Sequence, residues 1–186
     1  MHKIVGRRAV FLFIVTMFAL IGTMQRSEAA SAAAIDADVN ATLNRFYLQV
    51  GGSRDLVNRA AGVLVFPSVV KAGIGIGGEY GEGALRLRGR SVAYYNTISA
   101  SIGFQLGAQA RSVIIMFMTG DALASFQRKD GWKVGVDGSV VLVTVGAAGS
   151  VDTNQISNPV IGFILDEKGL MYNLTLEGSK ITRIAK

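Results

Sequence analysis

An α+β fold, with a mostly antiparallel, strongly curved and barrel-like β-sheet and N-terminal helices packed on it, follows from three observations. Helical spacing of apolar residues near the start of the chain gives way, after Gly62, to an alternation of period two. The alternating segments are joined by short turns, a style that favours an antiparallel sheet over a doubly wound one. Glycine falls repeatedly at alternate strand positions, where it permits tight curvature and close approach of backbone or ligand.

The elements follow in order. Ile35, Val39, Leu43, Phe46, Tyr47 and Val50 repeat at helical spacing, with Asp36, Asp38, Asn40 and Asn44 on the other side, so residues 35–50 form a helix. Gly51-Gly52 ends it, and Ser53 is placed to cap a short second helix over 54–60. Residues 63–66 make a short apolar strand closed by Pro67. Residues 72–77 alternate apolar residues with glycine, a solvated hairpin turn falls around Glu79 and Glu82, and residues 85–88 alternate Leu and Arg. Residues 98–110 read as one long strand with an apolar even face and a small or polar odd face. Residues 113–118 are apolar on both faces, as in a central strand, and 121–126 form a short helix capped by Thr119 or Asp121. Asp137-Gly138 signals a two-residue hairpin between strands 132–136 and 139–145. A loop over 146–158 and closing strands over 160–165, 170–176 and 180–184 complete the chain.

Composition narrows the function. The chain has 186 residues, no Cys and one His, with 19 basic and 13 acidic residues. Lys3, Arg7 and Arg8, an apolar run over 9–24, and small residues Ser27 and Ala29 at −3 and −1 describe a secretory signal peptide over residues 1–29. The run is shorter than the ~20 residues of a membrane span. Arg7-Arg8 reads as an ordinary basic leader rather than a twin-arginine address, and the lack of Cys at the cleavage point excludes a lipoprotein. Residues 30–186 would then be one exported domain, periplasmic or secreted, carrying a net charge of only +3. Cleavage removes His2, so no Ser-His-Asp triad, Cys nucleophile or His/Cys zinc site can form. The expectation is a binding protein, not an enzyme, with no metal and no cofactor.

Residues 73–78 match the dinucleotide string G-x-G-x-x-G, but Glu79-Tyr80-Gly81 cannot open the helix that a pyrophosphate needs. Arg86, Arg88 and Arg90 fall at period two, so they can share one side of a strand. They read either as an anionic ligand surface or as a solvated face partly neutralised by Glu79 and Glu82. Lys71, Lys133 and Lys180 can add to that basic surface. The helix over 35–50 reads either as packed on its own domain or as inserting Ile35, Val39, Leu43, Phe46 and Tyr47 at a membrane interface. Nucleic acid does not fit a modest net charge with no basic–aromatic tract.

Several ordered blocks carry a family resemblance. Residues 61–67 running into 71–78, the stretch 101–109, Phe117-Met118-Thr119 before Asp121-Ala122-Leu123, residues 138–149 and Leu176-Glu177-Gly178-Ser179-Lys180 resemble the SYLF domain, also called the Ysc84 actin-binding domain. The resemblance implies lipid binding, with phosphoinositides as ligands of eukaryotic members and actin binding in some fungal and animal members. With a signal peptide and no adaptor module, this chain looks like a stand-alone bacterial exported branch, for which ordinary anionic phospholipids replace phosphoinositides. The lipid-contact regions implied are the basic residues Lys71, Arg86, Arg88 and Arg90 and the N-terminal helix. The expectation is binding to a phospholipid or membrane surface at the cell envelope; the alternative is an envelope protein partner without a lipid ligand.

Overall fold

In the computed structural model of the chain, residues 30–103, 109–143, 151, 156–165 and 176–186 are described. The expected signal peptide, all but the last residue of the expected strand over 170–176 and most of the expected loop over 146–158 lie outside the described residues.

Helix α1 spans Ala32–Gln49, with the Ser31 hydroxyl accepting the Ala34 N–H at 3.2 Å as N-cap. Helix α2 spans Ser53–Arg59. Ser53 does not cap α2 as expected; Gly52, at φ 80°, is the N-cap. The Ser53 hydroxyl instead shares its hydrogen between the carbonyls of Val50 (2.5 Å) and Phe46 (3.3 Å) at the end of α1, both of which also accept a backbone N–H.

Strand β1 is 26 residues long, Gly62–Leu87, and does not stop at Pro67. Proline has no N–H to give the ladder, so the register with β3 (Gln109–Phe117) shifts between Phe66 and Val69 and the strand carries on beyond the bulge. The Ser112 hydroxyl donates to the Pro67 carbonyl at 2.6 Å and accepts from Arg45 of α1 at 2.6 Å, so the irregularity is satisfied by the helix above it. Glu79 and Glu82 stand in mid-strand rather than in a hairpin turn. The turn falls instead at Arg88 and Gly89, where φ is 49° and 78°, and leads into β2, Arg90–Gly103. Two successive left-handed residues suit the twist of a tight hairpin.

The two arms of β1 have different neighbours. Residues 62–71 pair with β3, and residues 75–87 pair with β2. They also approach each other. A Cβ on Gly83 would collide with the Val65 carbonyl oxygen, one on Gly81 would sit 2.7 Å from the Ser68 carbonyl oxygen, and one on Gly62 would sit 2.9 Å from the Leu87 side chain. Glycine at alternate positions is therefore a packing requirement here.

Helix α3 (Gly120–Arg128), β4 (Trp132–Lys133), β5 (Val141–Leu142), β6 (Val160–Leu165) and β7 (Lys180–Ile184) complete the described elements. Thr119, rather than Asp121, caps α3, accepting the Ala122 N–H at 3.2 Å. The sheet order is β4-β7-β2-β1-β3-β6-β5, antiparallel except for β5 with β6, and the sheet curls into a half-barrel. The α+β class with N-terminal helices is as expected. The hairpin expected around Asp137-Gly138 is not formed, because β4 and β5 lie at opposite edges of the sheet. The Asp137 carboxylate instead accepts the Lys133 N–H (2.8 Å) and the Lys129 ammonium (3.0 Å), closing a turn that leaves Trp132 and Val134 in the core. Those two bonds, the backbone one first, hold the Asp137 carboxyl below its usual value.

Both faces of the sheet are covered. One layer joins Leu64, Phe66, Leu85, Ile115 and Phe117 to Phe126 of α3 and to Trp132, with Phe117 and Phe126 ring centroids 4.7 Å apart. The other seats Ile35, Val39, Leu43 and Phe46 of α1 on Val63, Val65, Ile114, Ile161 and Phe163. Residues 113–117 are buried on both faces, as expected of a central strand. The strand expected over 98–110 is divided: residues 98–103 end β2, 109–110 open β3, and 104–108 lie outside the described residues. Its apolar face is also turned outward at Ile98, while Thr97 is buried, because Thr97 shares the core face of Tyr95 and Ala93.

Gly83→Ala should lose about 3 kcal/mol or more in urea unfolding, since the obstacle is backbone rather than a movable side chain. Gly120→Ala, with open space at that position, should lose nothing and gain up to about 1 kcal/mol. Equal effects of the two would refute the close approach of the β1 arms. Thr119→Ala should cost about 1 kcal/mol in the same assay through the lost cap.

Candidate functional site

The three arginines expected on one strand face are placed differently. Arg86 is near the end of β1, Arg88 is in the turn, and Arg90 opens β2. A register shift between Leu85 and Arg86 and the left-handed backbone at Arg88 break the period of two. The stripe is thus corrected to a basic hairpin tip. This tip faces the helices: Arg86 Nη2 donates to Asn40 Oδ1 of α1 at 2.9 Å and to the Gly89 carbonyl at 2.6 Å. A guanidinium has five N–H donors, and these bonds leave Nε–H, which is buried without a partner, and the Nη1 hydrogens.

Between the tip and the two helices runs a groove of about 570 Å³. Leu43, Val57, Ala60 and Val63 form its apolar floor. Asn40 and Asn44, one turn apart on α1, and Asn58 of α2 supply amides, and Arg86 and Arg88 supply charge. Tyr47 closes one side, with the Arg54 guanidinium 4.4 Å from its ring centroid. Burial pushes the Tyr47 hydroxyl pKa up, more than the nearby Arg54 and Arg86 charges lower it. It therefore stays protonated at neutral pH, as a hydrogen-bond donor. The arrangement offers guanidinium donors to an anion, amides to hydroxyl or ester oxygens, and an apolar floor to a short stretch of hydrocarbon.

A space of about 10 Å³ remains near the Glu79–Arg111 ion pair (2.6 Å), enough for one water at most. The groove on the helix side is far larger and is open to the surface.

The remaining expected residues are dispersed. Lys71 is half-buried on β1 opposite Gln109 of β3. Lys133 and Lys180 are exposed cross-strand partners on β4 and β7 and are not part of the groove lining. The membrane-facing reading of α1 is corrected: Ile35, Val39, Leu43 and Phe46 are at most 8% exposed, because the sheet covers their stripe. Tyr47 alone of that set is half-exposed, and it joins Leu43 in the groove. Residues the pattern did not single out are Asn58, Arg54 and Leu48, the last 85% exposed one turn beyond Asn44. Leu48 was detectable as an apolar residue off the helical stripe. Asp36 is also spoken for, accepting the Ser91 hydroxyl (2.5 Å) and the Tyr94 hydroxyl (3.1 Å), which ties α1 to β2.

Comparison with known proteins adds a family likeness. Residues 98–185 match the model of the Ysc84 family, described as Las17-binding protein actin regulator. No curated protein matches the chain. The matched segment supplies the second half of β2 and the elements from β3 to β7, while the groove is built from residues before it. The matched segment includes the later ordered blocks, so residues 98–185 are similar to the Ysc84 (SYLF) family, a likeness that suggests an actin- or lipid-binding module in general.

Proposed function

We propose that this protein is exported and binds anionic phospholipids at or near the cell envelope, taking the headgroup in the groove between α1, α2 and the β1–β2 hairpin. The observation that carries the reading is Arg86, held by Asn40 and Gly89 with donors to spare, beside Arg88 over an apolar floor. Arg54 adds a third positive charge beside Tyr47, and Leu48 of α1 is an exposed apolar side chain suited to the bilayer interface. The groove opens to the surface, which favours contact with a lipid still in its membrane. The leader pattern over residues 1–29 supports export to the periplasm or outside the cell. With no His or Cys after residue 29, the groove holds a ligand rather than transforms it. A protein partner in the same groove is the competing reading, favoured by the family description.

Flotation of residues 30–186 with vesicles separates them. At low salt the protein should bind vesicles containing phosphatidylglycerol or cardiolipin and not pure phosphatidylcholine. Arg54→Gln with Arg88→Asn, both exposed positions, should weaken that binding by about 2 kcal/mol, roughly 30-fold, at about 1 kcal/mol per base. Asparagine tolerates the left-handed backbone at position 88, so the melting temperature should hold. No binding to any composition would end the lipid reading, and unchanged binding by the double variant would remove the groove from it. Capture of one envelope protein, lost in the double variant and without vesicle binding, would establish the protein partner.

A further inference from the structure

The polar residues of the groove are sorted by wall. Arg86 and Arg88 stand on the hairpin tip, whereas Asn40 and Asn44 of α1 and Asn58 of α2 stand on the helices. Asn40 and Asn44 are four residues apart and so share one face of α1. Asn40 joins the two walls, since its Oδ1 accepts from Arg86 Nη2 at 2.9 Å. A guanidinium has no acceptor, so this bond fixes which way the Asn40 amide faces and turns its two N–H donors away from Arg86. Asn44 and Asn58 are exposed and, among the described residues, have no hydrogen-bond partner.

The two walls suit different parts of a ligand. Guanidiniums pair with the oxygens of a phosphodiester. An amide donates and accepts at once, as a hydroxyl does, so the two match in either sense. An ammonium only donates and carries a charge, and among the described residues that line the groove there is no carboxylate to neutralise it. Asp36, one turn before Asn40, already accepts the Ser91 and Tyr94 hydroxyls. The matching headgroup is therefore a phosphodiester followed by neutral hydroxyls, not one ending in an amine.

We propose that the groove selects among anionic phospholipids by the hydroxyls beyond the phosphate: Arg86 and Arg88 take the phosphodiester, and Asn44 and Asn58 take the hydroxyls of a terminal glycerol. The inference rests on the lipid reading above and adds the headgroup that is preferred. Asn44 and Asn58 determine specificity, while Asn40 positions the Arg86 guanidinium. A free glycerol phosphodiester would offer the same polar groups without acyl chains. The apolar floor of Leu43, Val57, Ala60 and Val63 favours the lipid.

The test titrates residues 30–186 with phosphatidylcholine vesicles that contain equal amounts of either phosphatidylglycerol or phosphatidylpropanol. The two anionic lipids carry the same phosphodiester charge on the same three-carbon headgroup and differ only in its hydroxyls. The protein should bind the phosphatidylglycerol vesicles about tenfold more tightly, as two hydrogen bonds of modest strength would give. Asn44→Ala with Asn58→Ala should bind both compositions equally, at the affinity the unaltered protein has for phosphatidylpropanol. Both positions are exposed on helices and alanine is the better helix former, so the melting temperature should not fall. Equal binding of the two lipids by the unaltered protein would overturn the headgroup preference and leave the lipid reading standing. A preference that survives in the double variant would overturn the assignment to Asn44 and Asn58. No binding to either composition would overturn the lipid reading and the preference with it. Soluble glycerophosphoglycerol, added as competitor, should release the protein only at concentrations far above that of the vesicle lipid. Release at an equal concentration would make the free headgroup the ligand and overturn the membrane source.

Discussion

Because Gly83 and Gly81 have no side chains, the second arm of β1 can lie against the backbone of its first arm, at Val65 and Ser68. This contact lets a single strand pair with β3 along residues 62–71 and with β2 along residues 75–87. Every other described strand joins the sheet through one of those two partners. The half-barrel, the double-sided core and the position of the β1–β2 hairpin all follow from that bend. The hairpin matters most, since the end of the second arm carries Arg86 and Arg88 up to the helices.

Helix α1 has two functions on its two sides. Its apolar stripe is spent on the sheet, with Phe46 and Phe163 ring centroids 4.8 Å apart. Its polar residues are also engaged with the sheet: Asp36 with Ser91 and Tyr94, Asn40 with Arg86, and Arg45 with Ser112. Apolar burial gives the helix its affinity for the sheet, and these directional bonds set its register along the strands. Groove width depends on that register. A membrane-binding role for α1 through its buried stripe would require undoing both.

Periodicity made the helices, the central strand at 113–117, β6 and β7 legible, since each has one environment along its whole length. It failed where one residue changed the local rule. Pro67 suggested a strand end, but a bulge bridged by Ser112 let the strand continue. Asp137-Gly138 looked like a hairpin, yet the carboxylate bonded back to Lys133 and sent the flanking strands to opposite edges. The true hairpin turn, Arg88-Gly89, lacks the usual Asn or Asp signal. For the site, Arg86, Arg88, Leu43 and Tyr47 were legible by type, but their meeting was not. That depends on a strand of 26 residues returning to a helix residue 46 positions earlier, a long-range contact that no local pattern encodes.

The central claim is that one groove, built by α1, α2 and the hairpin tip, receives an anionic lipid headgroup. Nuclear magnetic resonance of isotope-labelled residues 30–186, titrated with short-chain phosphatidylglycerol below its micelle concentration, addresses it residue by residue. The account predicts that the Arg86 side-chain resonances and the side-chain amides of Asn40, Asn44 and Asn58 shift together and saturate. Lys133 and Lys180, on the β4–β7 edge, should remain where they were. Shifts centred on that edge, or no saturable shift in the groove, would contradict the account.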